Sequence, residues 1–364
     1  MPAPVTLETV RSAPKVLLHD HLDGGLRPTT VLELADACGW LPRLPASDPA
    51  ELQAWFTRGA DTRDILQYLA TFEHTIAVMQ TAEALERVAY EATVDLADDG
   101  VIHAEVRFAP ELHQLNGLPL TEIVTAVCDG FRRGERDAAS AGKTITVNAI
   151  ICAMRTEQRS MEVVRLVDRI RFSEPKVVAF DLAGAETGWP PSLHAEALAF
   201  ARAHHLNITI HASEPPDMEL ISDALAHGAH RIGHGVRLAK GVLFTPDGDA
   251  MLTQLARYVL DHQIPLELAP TCNVQIGAVP TLADHPVASF LRLGFCATVN
   301  TDNRLMSNVS PSSELHAVAT TFDLSWTEVE QLVTNGIRAA FSPYEERCRL
   351  VDDVVRPAYA ALSV

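Results

Sequence analysis

The chain of 364 residues has no long hydrophobic run and relatively few basic residues. No stretch approaches the roughly 20 consecutive apolar residues that a membrane-spanning helix requires. Lysine and arginine total 29 against 47 acidic residues, which gives a formal net charge of −18. Such a charge repels phosphate backbones and anionic lipid surfaces, and no basic block offsets it. We therefore expect neither nucleic acid nor a membrane as a partner. If the substrate contains a nucleotide base, the negative charge of the protein favours a neutral nucleoside or a free base over a phosphorylated form.

Cysteine is also sparse, and no two cysteines form a CxxC pair. This spacing argues against a disulfide framework or a thiolate zinc site, so we expect buried, reduced thiols. The first residues, MPAPVTLETVRSAPK, contain no apolar segment followed by a small-residue cleavage site, which predicts a cytoplasmic protein. The six cysteines are Cys38, Cys128, Cys152, Cys272, Cys296 and Cys348.

Short β-branched and apolar runs alternate with longer segments of helical period, a pattern typical of βα units around a parallel sheet. Several runs are almost continuously hydrophobic, as strands buried on both faces are. Eight strands with intervening helices predict an α/β fold, a (β/α)8 TIM barrel. The alternative is a doubly wound sheet, which usually has a Gly-rich turn after its first strand; here that strand runs into HDHLDGG. The predicted strands are 16–19, 101–108, 144–152, 177–182, 207–211, 231–234, 265–268 and 296–300, and the main predicted helices are 82–98, 120–141, 191–204, 250–263 and 284–292.

The segment between the first and second strands is too long for a single crossover. It contains helical patterns at 29–37, 49–58 and 63–79, which we interpret as extra helices beside the barrel mouth. No repeat or linker divides the chain, so a single domain over 1–364 is expected. Four apolar residues in the last pattern repeat at helical spacing and belong either to the core or to a lip over the pocket. They are Ile65, Tyr68, Leu69 and Phe72.

Polar side chains follow several predicted strands. His19 and His21 are two residues apart, which places both imidazoles on one face of a strand, where they could bind one metal ion or simply form hydrogen bonds. His211 ends another strand, and His234 and Asp302 stand at two more strand ends. Each alone could be a turn or capping residue.

Glu214 follows the strand-ending His211 by three positions. In a barrel all strand C-termini converge on the face where active sites are found. Three histidines and one carboxylate form a nitrogen and oxygen ligand set that suits zinc and leaves a position for water. The sequence therefore predicts a metal centre at this face, with chance convergence as the alternative.

Six motifs occur in the order found in the adenosine deaminase family, which this sequence resembles from about residue 16 to its end. They are LHDHLDGGLRP, DLAGAE, HASE, RIGHG, APTCN and VNTDN. HLDGGLRP and NTDNRLMS also resemble actinobacterial members. The resemblance implies a hydrolase that uses one zinc ion per chain, bound by His19, His21, His211 and Asp302.

The same resemblance implies three catalytic residues. Glu214 would be the proton donor, His234 would orient or deprotonate the metal-bound water, and Asp302 or His234 would shuttle a proton. Four residues would contact the substrate. Asp23 would meet the ribose, the Gly184 N–H would meet purine N3, Asn303 would face N7, and His21 would also bind the substrate.

The chemistry of these roles is independent of the resemblance. Zinc lowers the pKa of bound water from about 16 toward about 7, which supplies a nucleophile at neutral pH. Protonation of purine N1 by a neutral carboxylic acid makes C6 open to attack, and the exocyclic amine leaves as ammonia. Unrelated nucleobase deaminases also combine a zinc-activated water with a glutamate that is not a zinc ligand. Together with this chemistry, the resemblance implies a reaction that converts adenosine and deoxyadenosine to inosine and deoxyinosine.

Three positions depart from the usual family pattern. Ser213 replaces a glycine, Ala185 replaces an aspartate, and Asn303 stands where many members carry a second aspartate. A neutral asparagine amide can donate to N7 at any pH. The segment from Glu214 to His234 also begins Pro-Pro and is about two residues short of the usual length. These changes leave adenine, 5′-methylthioadenosine and aminodeoxyfutalosine as alternative substrates.

Two other readings stay open. A two-metal amidohydrolase commonly needs a bridging lysine at the end of the fourth strand, but that strand ends in FDLAG and Lys176 precedes it. The second alternative is a catalytically silent barrel, which uses zinc for stability and binds a partner protein. The sequence is compatible with a monomer or a homodimer.

Overall fold

The computed structural model describes residues 3–212, 218–244 and 249–363. All eight predicted strands are confirmed, with ends that differ by at most two residues, and two short strands are added in the described ranges. The strands are β1 (Lys15–His21), β2 (Val101–Phe108), β3 (Thr146–Met154), β4 (Val177–Ala183), β5 (Thr209–Ala212), β6 (Arg231–His234), β7 (Val242–Phe244), β8 (Ala250–Leu252), β9 (Leu266–Leu268) and β10 (Ala297–Val299).

The strands form two parallel four-stranded sheets, ordered β1-β2-β3-β4 and β10-β9-β6-β5. Isolated parallel bridges join the sheets at both seams, Asp20 with Asp302 and Phe180 with Ile208. The eight strands therefore follow one another around a barrel of the TIM type, as predicted. Strands β7 and β8 form a separate antiparallel hairpin.

The barrel strands are apolar because both of their faces are covered. In β3, Val147, Ile150 and Ile151 are fully buried, although they alternate between the barrel interior and the surrounding helices. Alternation of polar and apolar residues is absent for the same reason. Polar side chains on the barrel strands therefore stand out as candidates for a function other than solvation.

Helices surround the barrel and occupy the long connection between β1 and β2, as expected. Their bounds are α1 (Leu7–Ser12), α2 (Pro28–Ala37), α3 (Pro49–Ala60), α4 (Ile65–Ala70), α5 (Phe72–Val78), α6 (Ala82–Asp98), α7 (Leu120–Ser140), α8 (Ser160–Ile170), α9 (Ala195–Ala203), α10 (Glu219–Ala226), α11 (Gln254–Asp261), α12 (Pro270–Gln275), α13 (Val287–Arg292), α14 (Arg304–Ser307), α15 (Pro311–Thr321), α16 (Trp326–Ala339), α17 (Tyr344–Arg349) and α18 (Arg356–Leu362).

Four predicted helices were too long. The one predicted over 284–292 begins only at Val287, as α13. The prediction of one helix over 250–263 was wrong at its start, because residues 250–252 pair with β7 as strand β8. The Thr253 side chain then caps α11 by accepting the Ala256 N–H. Residues 191–204 begin with a 3-10 turn before α9, and residues 63–79 are divided into α4 and α5 at Thr71.

Asp64 explains where α4 begins. Its carboxylate accepts the N–H of Leu66 at 2.8 Å, which satisfies a backbone donor that the first helical turn leaves unpaired. Helix α4 then places Ile65, Tyr68 and Leu69 beside the barrel mouth.

The six cysteines are free thiols, as predicted, but two of them are not buried. Cys38 is exposed and Cys348 is half-buried, whereas the other four are buried. Cys38 follows α2 at the protein surface, where its thiol lies 3.8 Å from the Ala35 carbonyl oxygen. None of the helices in the described ranges has the length and hydrophobicity to cross a membrane.

Candidate metal centre and active site

Four predicted ligands converge at one end of the barrel. Strand β1 supplies His19 and His21, β5 supplies His211, and Asp302 follows β10; one ligand atom from each lies within 4.8 Å of the others. Asp302 Oδ1 is 3.2 Å from His19 Nε2 and 3.4 Å from His21 Nε2. Backbone hydrogen bonds hold Asp302 directly against β1, since its N–H donates to His19 and its carbonyl accepts from His21.

The chemistry of this cluster fits a cation. His21 Nε2 and His211 Nε2 are 3.1 Å apart, and His19 Nε2 is buried without a hydrogen-bond partner. Burial, followed by nearby cationic groups, lowers the pKa of His19 and His21 well below the usual value, which keeps both rings neutral. Neutral imidazole lone pairs that face one another repel unless a cation lies between them, so the cluster can hold a metal ion.

Two buried carboxylates orient the candidate histidine ligands. His19 Nδ1 lies 2.9 Å from Glu267 Oε2, and His211 Nδ1 lies 3.0 Å from Asp181 Oδ2. A carboxylate can only accept here, so each Nδ1 carries the proton and each Nε2 presents its lone pair to the cluster. Neither Asp181 nor Glu267 was predicted as a site residue from the sequence.

Arg107 forms ion pairs with both of these carboxylates. Its guanidinium donates to Asp181 at 2.8 Å and to Glu267 at 2.7 Å, and all three side chains are fully buried. Burial alone would raise the pKa of Asp181, but His211 and Arg107 outweigh it and hold this pKa well below the usual range. Arg107 therefore helps to keep Asp181 ionised and available to His211.

A second buried arginine completes the support. Arg231 lies 2.6 Å from both Glu105 and Glu267, and the Thr209 hydroxyl also donates to Glu267 at 3.0 Å. Burial would raise the pKa of Glu105, but Arg231 and His103 hold it at about 2. Glu267 is thus fixed from several sides, and through it the ring of His19. The sequence signal for this network was a charged residue inside an apolar strand.

Two of the predicted catalytic residues adopt strained backbone conformations. His234 has φ 60° and Asp302 has φ 58°, in the left-handed region that costs a non-glycine residue about 1–3 kcal/mol. Gly235 follows with φ 71°, which glycine adopts without that cost. The strained turn after β6 sets the His234 ring beside the cluster, with its centroid 4.8 Å from that of His19.

A chain of buried hydrogen bonds fixes the tautomer of His234. The Val287 N–H donates to His285 Nδ1 at 3.2 Å, so His285 carries its proton on Nε2 and donates it to Asn273 Oδ1 at 3.1 Å. The Asn273 amide then donates from Nδ2 to His234 Nδ1 at 3.2 Å. Neutral His234 consequently carries its proton on Nε2. Asn273 lies in the APTCN motif, but neither it nor His285 was singled out by the sequence analysis.

A pocket opens above the cluster, with an empty volume of about 800 Å³ including its mouth. All four predicted substrate-binding residues line it, and so do all four apolar residues that were predicted to belong either to the core or to a lip. These two groups are His21, Asp23, Gly184 and Asn303, and Ile65, Tyr68, Leu69 and Phe72.

The predicted polar contacts differ in their environments. Asp23 is buried, one of its carboxylate oxygens has no hydrogen-bond partner, and burial raises its pKa to about 7. Gly184 has φ 95°, and a Cβ there would come within 2.8 Å of Met154 Cε, so a side chain would be strained and crowded. The Asn303 amide donates to the Tyr68 hydroxyl at 2.8 Å.

The predicted proton donor Glu214 lies outside the described residues, as do Ser213 and the Pro-Pro segment. The altered residue Ala185 follows Gly184 at the end of β4. Lys176 donates to Glu135 at 2.6 Å, before β4 begins, and not to the metal cluster. Within the described residues, this cluster is the one group of metal-binding side chains found.

Comparisons with known proteins agree with this architecture. A family model described as adenosine deaminase matches residues 14–357. An adenosine deaminase from Mycobacterium sp. (strain KMS) is 49% identical over 364 residues, which cover 100% of both chains.

Two solved structures share the fold at 24% identity. Adenine deaminase from Arthrobacter aurescens has a TM-score of 0.79 and covers 94% of this chain and 98% of its own. An amidohydrolase from Burkholderia ambifaria, solved with bound Zn, has a TM-score of 0.81 and covers 100% and 97%. The family model and the relative that matches over the full length show that the chain belongs to the adenosine deaminase family, whose members are metal-dependent.

Proposed function

We propose that this chain hydrolyses the 6-amino group of adenosine and deoxyadenosine, producing inosine or deoxyinosine and ammonia. The observation that carries the proposal is the cluster of His19, His21, His211 and Asp302, three of which also line the pocket. The whole-chain similarity to an adenosine deaminase supports the same reaction.

Zinc is the ion that we propose for this cluster, one per chain. Three imidazole nitrogens and one carboxylate oxygen suit it, and the carboxylate-bound Nδ1 atoms of His19 and His211 are typical of zinc ligands. When bound, the ion supplies the Lewis acid that makes water nucleophilic near neutral pH.

His234 orients the attacking water in this proposal. Its Nδ1 accepts from Asn273, so its Nε2 carries the proton and donates a hydrogen bond. A ring in this state cannot also remove a proton from the water. Of the two roles expected for His234, the hydrogen-bond network favours orientation over deprotonation, and Asp302 remains the proton shuttle.

Glu214 supplies the proton to purine N1. A neutral acid is needed for this step, because only the protonated carboxyl group can donate. Its position two residues beyond Ala212, the last residue of β5, sets it in sequence close to the candidate ligand His211.

The pocket favours a neutral nucleoside over a nucleotide. Its lining in the described part of the chain contains no lysine or arginine that would pair with a phosphate group. Asp23 offers a buried carboxyl group for the ribose hydroxyls, Gly184 offers backbone for N3, and Asn303 faces N7. Ile65 and Leu69 give apolar surface that covers the base.

The test is turnover by zinc-loaded protein of adenosine, deoxyadenosine, adenine and 5′-methylthioadenosine, followed by the ultraviolet change from 6-amino to 6-oxo purine and by ammonia release. Rapid turnover of the first two, abolished in Glu214→Gln, is the expected result. Turnover of adenine or 5′-methylthioadenosine alone would move the specificity to the altered segment that begins at Ser213. No turnover of any aminopurine would contradict the proposal.

A further inference from the structure

Tyr68 contributes a polar group to an apolar wall of the pocket. Its neighbours Ile65, Leu69 and Phe72 line this wall with carbon atoms only, whereas Tyr68 brings a hydroxyl group. The Tyr68 side chain is 1% exposed, so its hydroxyl depends on protein or ligand partners instead of bulk water. Its partners in the protein are Asn303 and Ser307.

The direction of each hydrogen bond in this group follows from its far end. Ser307 Oγ donates to Gln275 Oε1 at 2.8 Å, which uses its hydrogen. Ser307 Oγ therefore accepts from the Tyr68 hydroxyl, 3.4 Å away. The Tyr68 oxygen in turn accepts an N–H from Asn303 Nδ2 at 2.8 Å.

Packing holds the Asn303 amide in place, and the hydrogen bond to Tyr68 determines which of its two atoms is the nitrogen. A Cβ placed on Gly24 would lie 2.0 Å from Asn303 Oδ1, so the amide oxygen is packed against the Gly24 backbone. That oxygen has no hydrogen-bond partner. The amide nitrogen carries two hydrogens, of which Tyr68 takes one. The second is left for a ligand in the pocket that both side chains line.

We propose that Tyr68 is a positioning residue that sets substrate specificity. Its hydroxyl holds the Asn303 amide so that the second N–H meets a ring-nitrogen acceptor at position 7 of the bound purine. This inference rests on the proposed function, which sets Asn303 opposite N7. A site built to donate to an acceptor rejects an analogue without it, because the donor is then buried unpaired.

The experiment compares adenosine with 7-deazaadenosine, which has a carbon atom at position 7. Tyr68→Phe removes the hydroxyl and keeps the ring. Tyr90→Phe is the matched control, because the Tyr90 hydroxyl donates to Asp137 at 2.9 Å and Tyr90 does not line the pocket. Thermal midpoints of all three proteins show whether the fold is retained.

We expect Tyr68→Phe to lower kcat/KM for adenosine about 10-fold and to change that for 7-deazaadenosine less than about 2-fold. Tyr90→Phe should change neither value. Equal losses on both substrates would overturn the proposal, because a hydroxyl that only supports the fold affects them alike. Unchanged kinetics on adenosine would overturn it as well.

Binding separates this inference from the proposed reaction. Dissociation constants of both nucleosides are measured by calorimetry in zinc-loaded Glu214→Gln, with and without Tyr68→Phe. A preference for adenosine that Tyr68→Phe removes supports the positioning role even if the parent protein proves not to deaminate adenosine. No preference, or one that Tyr68→Phe leaves intact, overturns the positioning role whatever the turnover assays show.

Discussion

Arg107 donates to Asp181 across 2.8 Å, and neither side chain is exposed to solvent. The pair lies one step behind the metal cluster, because Asp181 in turn accepts the Nδ1 proton of His211. The orientation of His211 therefore depends on a buried ion pair that lies outside the set of candidate ligands. Removing one member of such a pair leaves an uncompensated buried charge.

Asp181→Asn is expected to weaken zinc binding about 10- to 100-fold, as the loss of an orienting carboxylate does at other zinc sites. The amide keeps the shape but no longer holds the proton on His211 Nδ1. Competition with a chromogenic chelator measures the affinity. Asp168→Asn, which removes a carboxylate paired with Arg171, is the control. An unchanged zinc affinity would show that Asp181 does not orient the ligand.

Removing the metal ion should lower the thermal midpoint of the protein. A ligand that binds the folded state alone stabilises it by about 2.7 kcal/mol at a free concentration 100-fold above Kd. Without the ion, the facing nitrogens of His21 and His211 lose the charge that holds them together. Differential scanning calorimetry before and after chelation, and after zinc is restored, gives the measurement. A midpoint that chelation does not move would argue against a bound metal ion.

Asn273→Leu should reduce kcat at least about 10-fold with little change in KM. The substitution removes the N–H that His234 Nδ1 accepts, so the ring is no longer held in the tautomer that donates from Nε2. Steady-state kinetics with adenosine, at full zinc occupancy verified by metal analysis, test this expectation. Retention of the parent kcat would mean that the Asn273 hydrogen bond has no part in orienting His234.

The strands and the ligand cluster could be predicted because their signals are local. An apolar run marks a buried strand, and a polar residue at its end marks the barrel mouth. Arg107 and Glu267 gave only an unexplained charge inside such a run. Their partnership joins positions 160 residues apart, and that of Arg107 with Asp181 joins positions 74 apart, so neither could be inferred from spacing.

Two other features could not be predicted from the sequence, because they too depend on contacts between separate parts of the chain. Strand β8 was taken for helix because its three residues are apolar and directly precede α11, and only pairing with β7 distinguishes the two. The contact of Tyr68 with Asn303 spans 235 residues. The sequence could identify Tyr68 as part of an apolar stripe, but the role of its hydroxyl depends on a partner brought there by the barrel.

Asn303→Asp should make the KM for adenosine depend on pH. The native amide donates at any pH, so the parent KM should be nearly constant from about pH 6 to 8. An aspartate must be protonated to donate to N7, and it also accepts from Tyr68, which reverses that hydrogen bond. We therefore expect a KM that rises with pH in the variant alone. A steep pH dependence in the parent protein would contradict the role of Asn303.

Glu314 is a buried carboxyl group that is not one of the candidate metal ligands, and it should make stability depend on pH. It accepts hydrogen bonds from the Thr271 N–H at 2.6 Å and the Thr271 hydroxyl at 2.5 Å. Burial raises its pKa from the ordinary value of 4.5 to about 7, although both hydrogen bonds act in the opposite direction. The folded protein therefore binds this proton more tightly than the unfolded chain does.

The stabilisation linked to this proton is complete below pH 4.5 and is lost as the pH rises through about 7. The two pKa values correspond to a loss of about 3 kcal/mol. Glu314→Gln stays neutral, so its free energy of unfolding should fall about 2–3 kcal/mol less than that of the parent between about pH 5 and 8. Urea unfolding across this range measures the difference, with Glu122→Gln on the exposed face of α7 as the control. If the free energy of unfolding of Glu314→Gln and of the parent changed with pH in parallel, the prediction would be wrong. That result would mean that Glu314 has the same pKa in the folded and unfolded chains, although burial raises it in the folded chain.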